Sequence, residues 1–195
     1  MKVVCAVALV ALAAGCGGTT TVTVTNTVTH VRTVTTTKTK PPTTTTSATA
    51  SSACAATGLQ GSFDGIEGSA GAGQISYALK LTNTGSSPCF VSGIPQAQLL
   101  GTTGNALPTT ISLEPGQGNG SKVTLQAGAS ATAEARFSPD VPGQGDSQGP
   151  GPCQPTATVL RVTAPGGGTL DAPVQPPTAV CEQGSLHFRP FTPAS

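Results

Sequence analysis

Cysteine and histidine are the residues of this chain best suited to do chemistry, and both are few. The 195 residues include six cysteines and two histidines. Four of the cysteines, Cys54, Cys89, Cys153 and Cys181, follow residue 50, and no two form a Cys-x-x-Cys pair. Zinc sites usually combine such pairs with histidines, whereas an even number of cysteines in an exported chain is typical of disulfides. We therefore expect two disulfides, no metal and no cofactor.

A fifth cysteine, Cys16, closes an apolar N-terminal segment. Lys2 is followed by a dozen apolar residues, too few to span a bilayer but enough for the centre of a signal peptide. Residues 12–16 read Leu-Ala-Ala-Gly-Cys, which resembles the bacterial lipobox. There the cysteine thiol receives diacylglycerol and the peptide bond before it is cleaved. The sequence thus predicts a lipoprotein signal peptide over residues 1–15 and a lipid anchor on Cys16. The alternative is an ordinary secretory signal that leaves Cys16 a free thiol.

Residues 16–53 have the composition of a tether. Threonine fills 17 of the 31 positions from 19 to 49, and no acidic residue precedes Asp64. Low-complexity threonine and proline favour an extended, disordered linker. The Thr–Val alternation over residues 21–29 leaves a second interpretation open, a β-strand added to the following domain or to a neighbouring molecule.

Composition limits what the domain over residues 54–195 can be. Only 9% of the chain is charged, against about 25% in ordinary soluble domains, and the net charge is +1. This excludes a strongly basic protein that neutralises many nucleic-acid phosphates. Leu, Ile, Val and Phe make up 38 of the 195 residues, so the predicted core is thin and gains from disulfides of about 2–4 kcal/mol each.

Alternating patterns predict an all-β domain. Ile75, Tyr77, Leu79 and Leu81 share one face of a strand over residues 74–83. A strand over residues 130–137 likewise directs three alanines and a phenylalanine inward. Further short strands separated by Gly and Pro give seven to nine in all. This pattern favours an immunoglobulin-like antiparallel β-sandwich.

Four cysteines allow three disulfide pairings, and the strand pattern favours one. The glycines at 166–168 lie between two strand-like runs and predict a hairpin. Cys153 and Cys181 are equidistant from its centre, so they face each other across the hairpin. Cys54 then pairs with Cys89, since these residues flank the start and the end of the first two strands. The other two pairings stay open at this point.

The domain offers no recognisable catalytic set. There is no Gly-x-Ser-x-Gly motif, and alternation places His187, the only domain histidine, on the solvent face. Asp140 and Asp146 lie in a Pro/Gly-rich loop over residues 138–152, which we expect to be mobile with its carboxylates in solvent. We therefore predict no catalytic residue and no enzymatic activity.

Several motifs resemble those of a known domain family. They are Leu-Thr-Asn-Thr-Gly at 81–85, Pro-Cys-Phe-Val-Ser-Gly-Ile-Pro at 88–95, Val-Thr-Leu-Gln-Ala-Gly-Ala-Ser-Ala at 123–131, and the cysteines at 153 and 181. They are similar to the exported actinobacterial domain family of unknown function numbered 4232. The resemblance covers about residues 54–191. It implies an immunoglobulin-like sandwich behind a lipoprotein signal and a low-complexity tether, and it supplies no catalytic residues.

Taken together, these features predict a lipoprotein at the extracytoplasmic face of the bacterial cytoplasmic membrane. Its lipid-anchored domain extends into the cell-wall space and presents a non-catalytic module. The expected partners are the membrane, through the anchor, and a cell-wall polymer or another exported protein, with no nucleic acid and no metal. The alternatives are an accessory or chaperone-like protein, a structural spacer and, least favoured, a wall-polymer hydrolase.

Overall fold

The computed structural model describes residues 51–194. The expected signal peptide, the lipidation site at Cys16 and almost all of the expected tether lie outside them. The described part of the chain is nearly all β, with a 3-10 turn at Ala56–Gly58 and a further turn at Cys181–Gly184. None of its helical segments is long and apolar enough to cross a membrane.

Twelve strands form within residues 51–194. In chain order they are β1 (Ser52–Ala53), β2 (Leu59–Gly65), β3 (Ile75–Asn83), β4 (Cys89–Val91), β5 (Gln96–Gly101), β6 (Thr110–Leu113), β7 (Val123–Leu125), β8 (Ser130–Phe137), β9 (Ala157–Thr163), β10 (Thr169–Thr178), β11 (Ser185–Phe188) and β12 (Thr192–Pro193). This exceeds the seven to nine strands expected from the sequence. Two of the additional ones, β1 and β12, have only two residues each, too few to show an alternation. β1 falls in the last two residues of the expected tether.

The strands form a small and a large sheet in a sandwich-like arrangement. The small sheet has the order β1-β4-β7, and the large one has the order β5-β9-β10-β2-β3-β8-β11-β6, with β12 also paired to β8. Most pairs are antiparallel, but β1–β4, β2–β10 and β6–β11 are parallel. The predicted all-β sandwich is confirmed, and the parallel pairs are a feature that the strand patterns did not indicate.

The core is built by the alternation of β3 and β8, which pair along eight residues. Tyr77, Leu79 and Leu81 are at most 1% exposed, and the inward alanines of β8 are fully buried. Such small side chains let aromatic rings from other strands pack above them. The centroid of the Tyr77 ring lies 5.2 Å from those of both Phe63 and Phe137.

Asn83 links the two sheets. It is 1% exposed, and its side-chain amide donates to the carbonyl of Leu125 in the small sheet (3.0 Å) and to that of Ser87 (2.9 Å). Its side-chain oxygen accepts the N–H of Gly85 (2.9 Å), an Asx turn of the kind that Asn-x-Gly favours. The Asn-Thr-Gly motif thus shapes the turn after β3 and fixes the small sheet against the large one.

The chain covers one edge of its own large sheet. Beyond β5, the N–H of Leu107 donates to the carbonyl of Leu99 (2.9 Å), and the N–H of Leu99 donates to Thr109 Oγ1 (3.0 Å). The segment that leads into β6 therefore pairs with part of β5. Covered edges protect a sheet from pairing with other chains.

Candidate binding surfaces

Two disulfides join the described cysteines. Cys54 pairs with Cys89 across a Cα–Cα distance of 4.9 Å, and Cys153 pairs with Cys181 across 5.5 Å. This is the pairing that the strand order favoured. The β9–β10 hairpin has the predicted glycine turn, with Thr163 opposite Thr169. Each disulfide joins a loop region to a core strand or its flanking turn, so both stabilise the frame rather than form a reactive centre.

The second disulfide lies beside a buried carboxylate, which corrects the expectation of a solvated loop. Asp146 is 8% exposed. Its carboxylate accepts the backbone N–H groups of Gly143 (2.9 Å), Glu182 (2.5 Å) and Gln183 (3.0 Å). The side-chain amides of Gln154 (2.7 Å) and Gln183 (3.1 Å) donate to it as well. Asp140, in the same loop, is exposed as expected.

Backbone conformation aims these donors at the carboxylate. Glu182 and Gln183 have φ values of 54° and 56°, in the left-handed region that non-glycine residues seldom adopt. Successive N–H groups then point to one side and form a concave anion site. Gly184 follows with φ of 73°, and a Cβ at that position would overlap the carbonyl of Pro108. We call Asp146 with its five donors the Asp146 clasp.

Hydrogen bonding sets the ionisation of the Asp146 clasp. Burial alone would raise the pKa of Asp146, but the donors from Gln154, Gln183, Gly143 and Glu182 outweigh it and hold the pKa well below its usual range. The carboxylate lies within 4.8 Å of the sulfurs of Cys153 and Cys181. Because those sulfurs are bonded to each other, they offer no thiolate to a metal. The cluster is a structural anion site that the chain itself fills.

His187 is held between two serine hydroxyls. Its Nδ1 lies 2.8 Å from Ser112 Oγ on the neighbouring strand β6, and its Nε2 lies 3.4 Å from Ser185 Oγ on its own strand. The side chain is half-buried. Among residues 51–194, no carboxylate is hydrogen-bonded to the ring. A Ser–His pair used for nucleophilic catalysis relies on such a third group to orient its base.

These residues belong to a row across the outer face of the large sheet. Ser76, Arg136, His187 and Ser112 stand opposite one another on β3, β8, β11 and β6. Residues in such positions project from the same face, and their chain neighbours Tyr77, Ala135 and Phe188 point into the core. We call these four residues the serine row; Ser185 flanks it on β11.

Arg136 distinguishes the serine row electrostatically. Arg161 is paired with Asp171 (2.7 Å), and Arg189 bridges Glu114 (2.5 Å) and Glu134 (3.3 Å). In the part of the chain that the structure describes, Arg136 alone among the arginines has neither an ion pair nor a side-chain hydrogen bond. Its guanidinium is exposed and leaves a planar fork of donors available to a ligand.

Two cavities open at the surface of the domain. One is a shallow depression of about 310 Å³ on the outer face, next to the serine row, floored by Ala78 and walled in part by Ile66 and Pro190. The other is an apolar cleft of about 130 Å³ at the mouth of the sandwich, between Val91, Val162 and Phe191. The cleft is smaller than the roughly 300–1,000 Å³ of a typical small-molecule site. The depression reaches that range but is open to solvent, and Thr132, Glu134 and Arg189 also line it.

Aromatic residues provide no stacking platform. Five of the six aromatic rings are at most 5% exposed: Phe63, Tyr77, Phe137, Phe188 and Phe191. The sixth, Phe90, lies beneath the ammonium of Lys122, 4.3 Å from the ring centroid. A sugar that stacks on an exposed ring therefore finds no such ring among the described residues.

The serine row was missed by the sequence analysis, although His187 was placed correctly on the outer side of its strand. Alternation shows which way a residue points but not which strands are neighbours. Ser112 and His187 meet only because β6 and β11 pair in parallel. The sequence did place an arginine and a histidine at outward positions of their strands. That pattern is too common to identify a site.

Comparison with known proteins gives one match. The model of a family described as "Domain of unknown function (DUF4232)" matches residues 54–192, more than two thirds of the chain. The match spans both disulfides, the Asp146 clasp and the serine row. No curated protein and no solved structure matches the chain.

Proposed function

The chain belongs to the DUF4232 family of domains of unknown function, and from that premise we propose a function on its own residues. It is a bacterial lipoprotein, anchored through Cys16 at the extracytoplasmic face of the cytoplasmic membrane. The Thr-rich segment is a tether that lifts the domain into the cell-wall space. There the β-sandwich acts as a non-catalytic module that binds a cell-wall component or another exported protein.

The disulfides support placement outside the cytoplasm. Cys54–Cys89 and Cys153–Cys181 use every cysteine of the described residues. Disulfides persist in exported proteins and are rare where thiols are kept reduced. Together with the lipobox-like residues before Cys16, they favour export followed by lipid anchoring. Two or more acyl chains suffice for stable attachment to a membrane.

The observation that carries the binding role is the unpaired Arg136 on an open sheet face. The exposed guanidinium has no acceptor among the described residues, and it stands opposite His187, whose ring is bonded to Ser112 and Ser185. The other two described arginines are neutralised within the domain. Donors left unused inside the fold are available to a partner.

A binding role also fits the chemistry of His187 better than catalysis does. Both ring nitrogens face serine hydroxyls, at 2.8 and 3.4 Å. A general base of a nucleophilic serine would be oriented by an acid on its far side, where this chain has Ser185. The pair is therefore proposed as part of a recognition surface.

Binding to the cell wall is tested by cosedimentation. The full-length acylated chain in detergent is mixed with isolated walls of the producing bacterium, and bound protein is measured against wall concentration. In parallel, crosslinking on intact cells followed by mass spectrometry reports exported protein partners. We expect either saturable wall binding that unlabelled chain competes away or crosslinks concentrated on one exported protein. Non-saturable sedimentation together with no defined crosslinked partner would leave only a spacer role.

A further inference from the structure

We propose that the serine row binds a phosphate group of an anionic, phosphodiester-linked cell-wall polymer. This inference rests on the proposed function and specifies its ligand. It is carried by the donor geometry of Arg136, His187 and the serines around them. The depression beside the row provides room for the polymer unit next to the phosphate.

The guanidinium of Arg136 supplies the charge. Arginine binds phosphate through two parallel N–H groups, a geometry that lysine does not reproduce. The guanidinium of Arg161 makes such a two-point contact inside the domain. Its Nε and Nη2 donate to the two carboxylate oxygens of Asp171 at 2.7 and 2.9 Å. The fork of Arg136 has no such acceptor in the described residues, and Ser76 and His187 flank it on either side.

The serines add donors at fixed positions. A neutral imidazole has one N–H and one acceptor nitrogen. One of the two serines bonded to His187 therefore accepts a hydrogen bond from the ring, and its own hydroxyl proton stays available. The row therefore offers at least one serine O–H next to the His187 ring.

Two of the acidic groups near the row are engaged by Arg189. Glu134 and Glu114, the nearest carboxylates along β8 and after β6, are both engaged by Arg189 at 3.3 and 2.5 Å. Asp64 faces Ala78 across the sheet, two residues along β3 from Ser76. Lys80 adds a second cation on the same face, four residues from Ser76. Among the described residues of the outer face, Arg136 and Lys80 are cations without an ion pair, and Asp64 is an acid without one.

The arrangement suits a phosphodiester. Residues with donor groups flank the fork on both sides, and a phosphodiester has ester oxygens in addition to the two oxygens that a carboxylate also offers to such a fork. A neutral sugar would depend on stacking, and the described aromatic rings are covered. The depression of about 310 Å³ begins next to the row. It can hold one polyol or sugar unit on the far side of the phosphate.

Phosphate recognition is tested by NMR with inorganic phosphate as the probe. Amide and side-chain signals of the full chain carrying Cys16→Ser are followed in a titration at constant ionic strength. We expect saturable shifts at Arg136, His187 and Ser112, and a loss of affinity of about tenfold or more in Arg136→Gln. Arg136→Lys keeps the charge but not the fork and should fall between the two. Arg161→Gln is the matched control, an exposed strand arginine on another part of the sheet, and should bind like the parent.

Two results would overturn the site. One is the absence of saturable shifts in the parent chain, and the other is equal losses in Arg136→Gln and Arg161→Gln. Unchanged chemical shifts of core residues such as Leu79 show that each variant is folded. These outcomes concern the phosphate site alone, so they leave the cosedimentation test of the proposed function to be judged separately.

The source of the phosphate is tested with two surfaces. Isolated walls that retain their phosphodiester polymers should bind the acylated chain, and walls stripped of those polymers should not. Arg136→Gln should lose most of this binding, and Arg161→Gln should keep it. Equal binding to both wall preparations would overturn the polymer assignment. So would binding of the Cys16→Ser chain to anionic phospholipid vesicles that matches or exceeds its wall binding.

Discussion

Asp146 shows how a single side chain organises a region that composition describes only as loop. Its carboxylate gathers donors from residue 143, from residue 154 and from the turn after Cys181. A carboxylate with this many N–H partners is stable when buried only in its ionised form. The Asp146 clasp and the Cys153–Cys181 disulfide therefore hold the Pro/Gly-rich loop against the domain by two different means.

Replacement of Asp146 tests the clasp. Asp146→Asn removes the charge and turns an NH₂ group toward one set of donors, either Gly143 and Glu182 or Gln154 and Gln183. Leaving buried donors unsatisfied costs about 1–3 kcal/mol per group, so we expect the free energy of unfolding to fall by about 2–3 kcal/mol. Urea denaturation with both disulfides intact measures it. Asp140→Asn, at an exposed position of the same loop, should change stability by less than about 0.5 kcal/mol.

The clasp also predicts a pH dependence. The folded pKa of Asp146 lies below that of the unfolded chain, about 3.9, so the ionised carboxylate stabilises the fold fully above that value. This stabilisation is lost as the pH falls through the folded pKa. The stability difference between the parent and Asp146→Asn should therefore be constant above about pH 5 and shrink below about pH 4. A difference that grows on acidification would contradict the assignment.

The sequence predicted some of these residue-level features and missed others. The cysteine count and the outward position of His187 could be read from alternation and composition. The burial of Asp146 could not, because its donors come from Glu182 and Gln183, 36 and 37 residues away. Nothing in the local sequence indicates that two non-glycine residues adopt a left-handed turn. A lone acid in a Gly/Pro loop is normally solvated, and here tertiary contacts override that expectation.

At the scale of elements, the sequence patterns predicted most of the strands but only some of the pairings between strands. β3 and β8 alternate cleanly, so their existence and their buried faces were predictable. The β9–β10 hairpin was predictable from its glycine turn. The parallel pairing of β6 with β11 was not, because parallel partners lie far apart in sequence and leave no turn signature. The serine row depends on that pairing, and for this reason the candidate site emerged only from the structure.

The two disulfides should differ in local effect but not in global stabilisation. They close loops of 35 and 28 residues, for which loop-closure entropy gives nearly equal contributions, about 3–4 kcal/mol each. The paired variants Cys54→Ser with Cys89→Ser and Cys153→Ser with Cys181→Ser should thus lose similar free energies of unfolding in urea.

Loss of each disulfide should change hydrogen exchange in a different part of the domain. Loss of Cys153–Cys181 leaves the Asp146 clasp as the main tie on residues 138–152, so hydrogen exchange in that loop should accelerate. Loss of Cys54–Cys89 should leave the loop's exchange unchanged and affect β1 and β4 instead. Equal acceleration of the loop in both paired variants would contradict this prediction, because the loop's exchange would then follow global stability rather than its own disulfide.

At the scale of the whole molecule, charge is divided unequally along the chain. No acid precedes Asp64, while all eight acids and five of the nine basic residues follow residue 63. The sequence therefore combines a cationic Thr-rich segment with a mildly acidic domain. A cationic segment next to anionic lipid head groups gains up to about 1 kcal/mol per close Lys or Arg. This distribution fits the proposed anchoring at one end and binding by the domain at the other.

The proposed function depends on a lipid anchor on Cys16, and metabolic labelling detects that anchor. Cells producing the parent chain or Cys16→Ser are fed a clickable fatty acid, and the purified protein is assayed for label. We predict that the parent chain is labelled and recovered with membranes, and that Cys16→Ser carries no label and leaves the membrane fraction. Undiminished label on Cys16→Ser, or no label on the parent chain, would contradict the account.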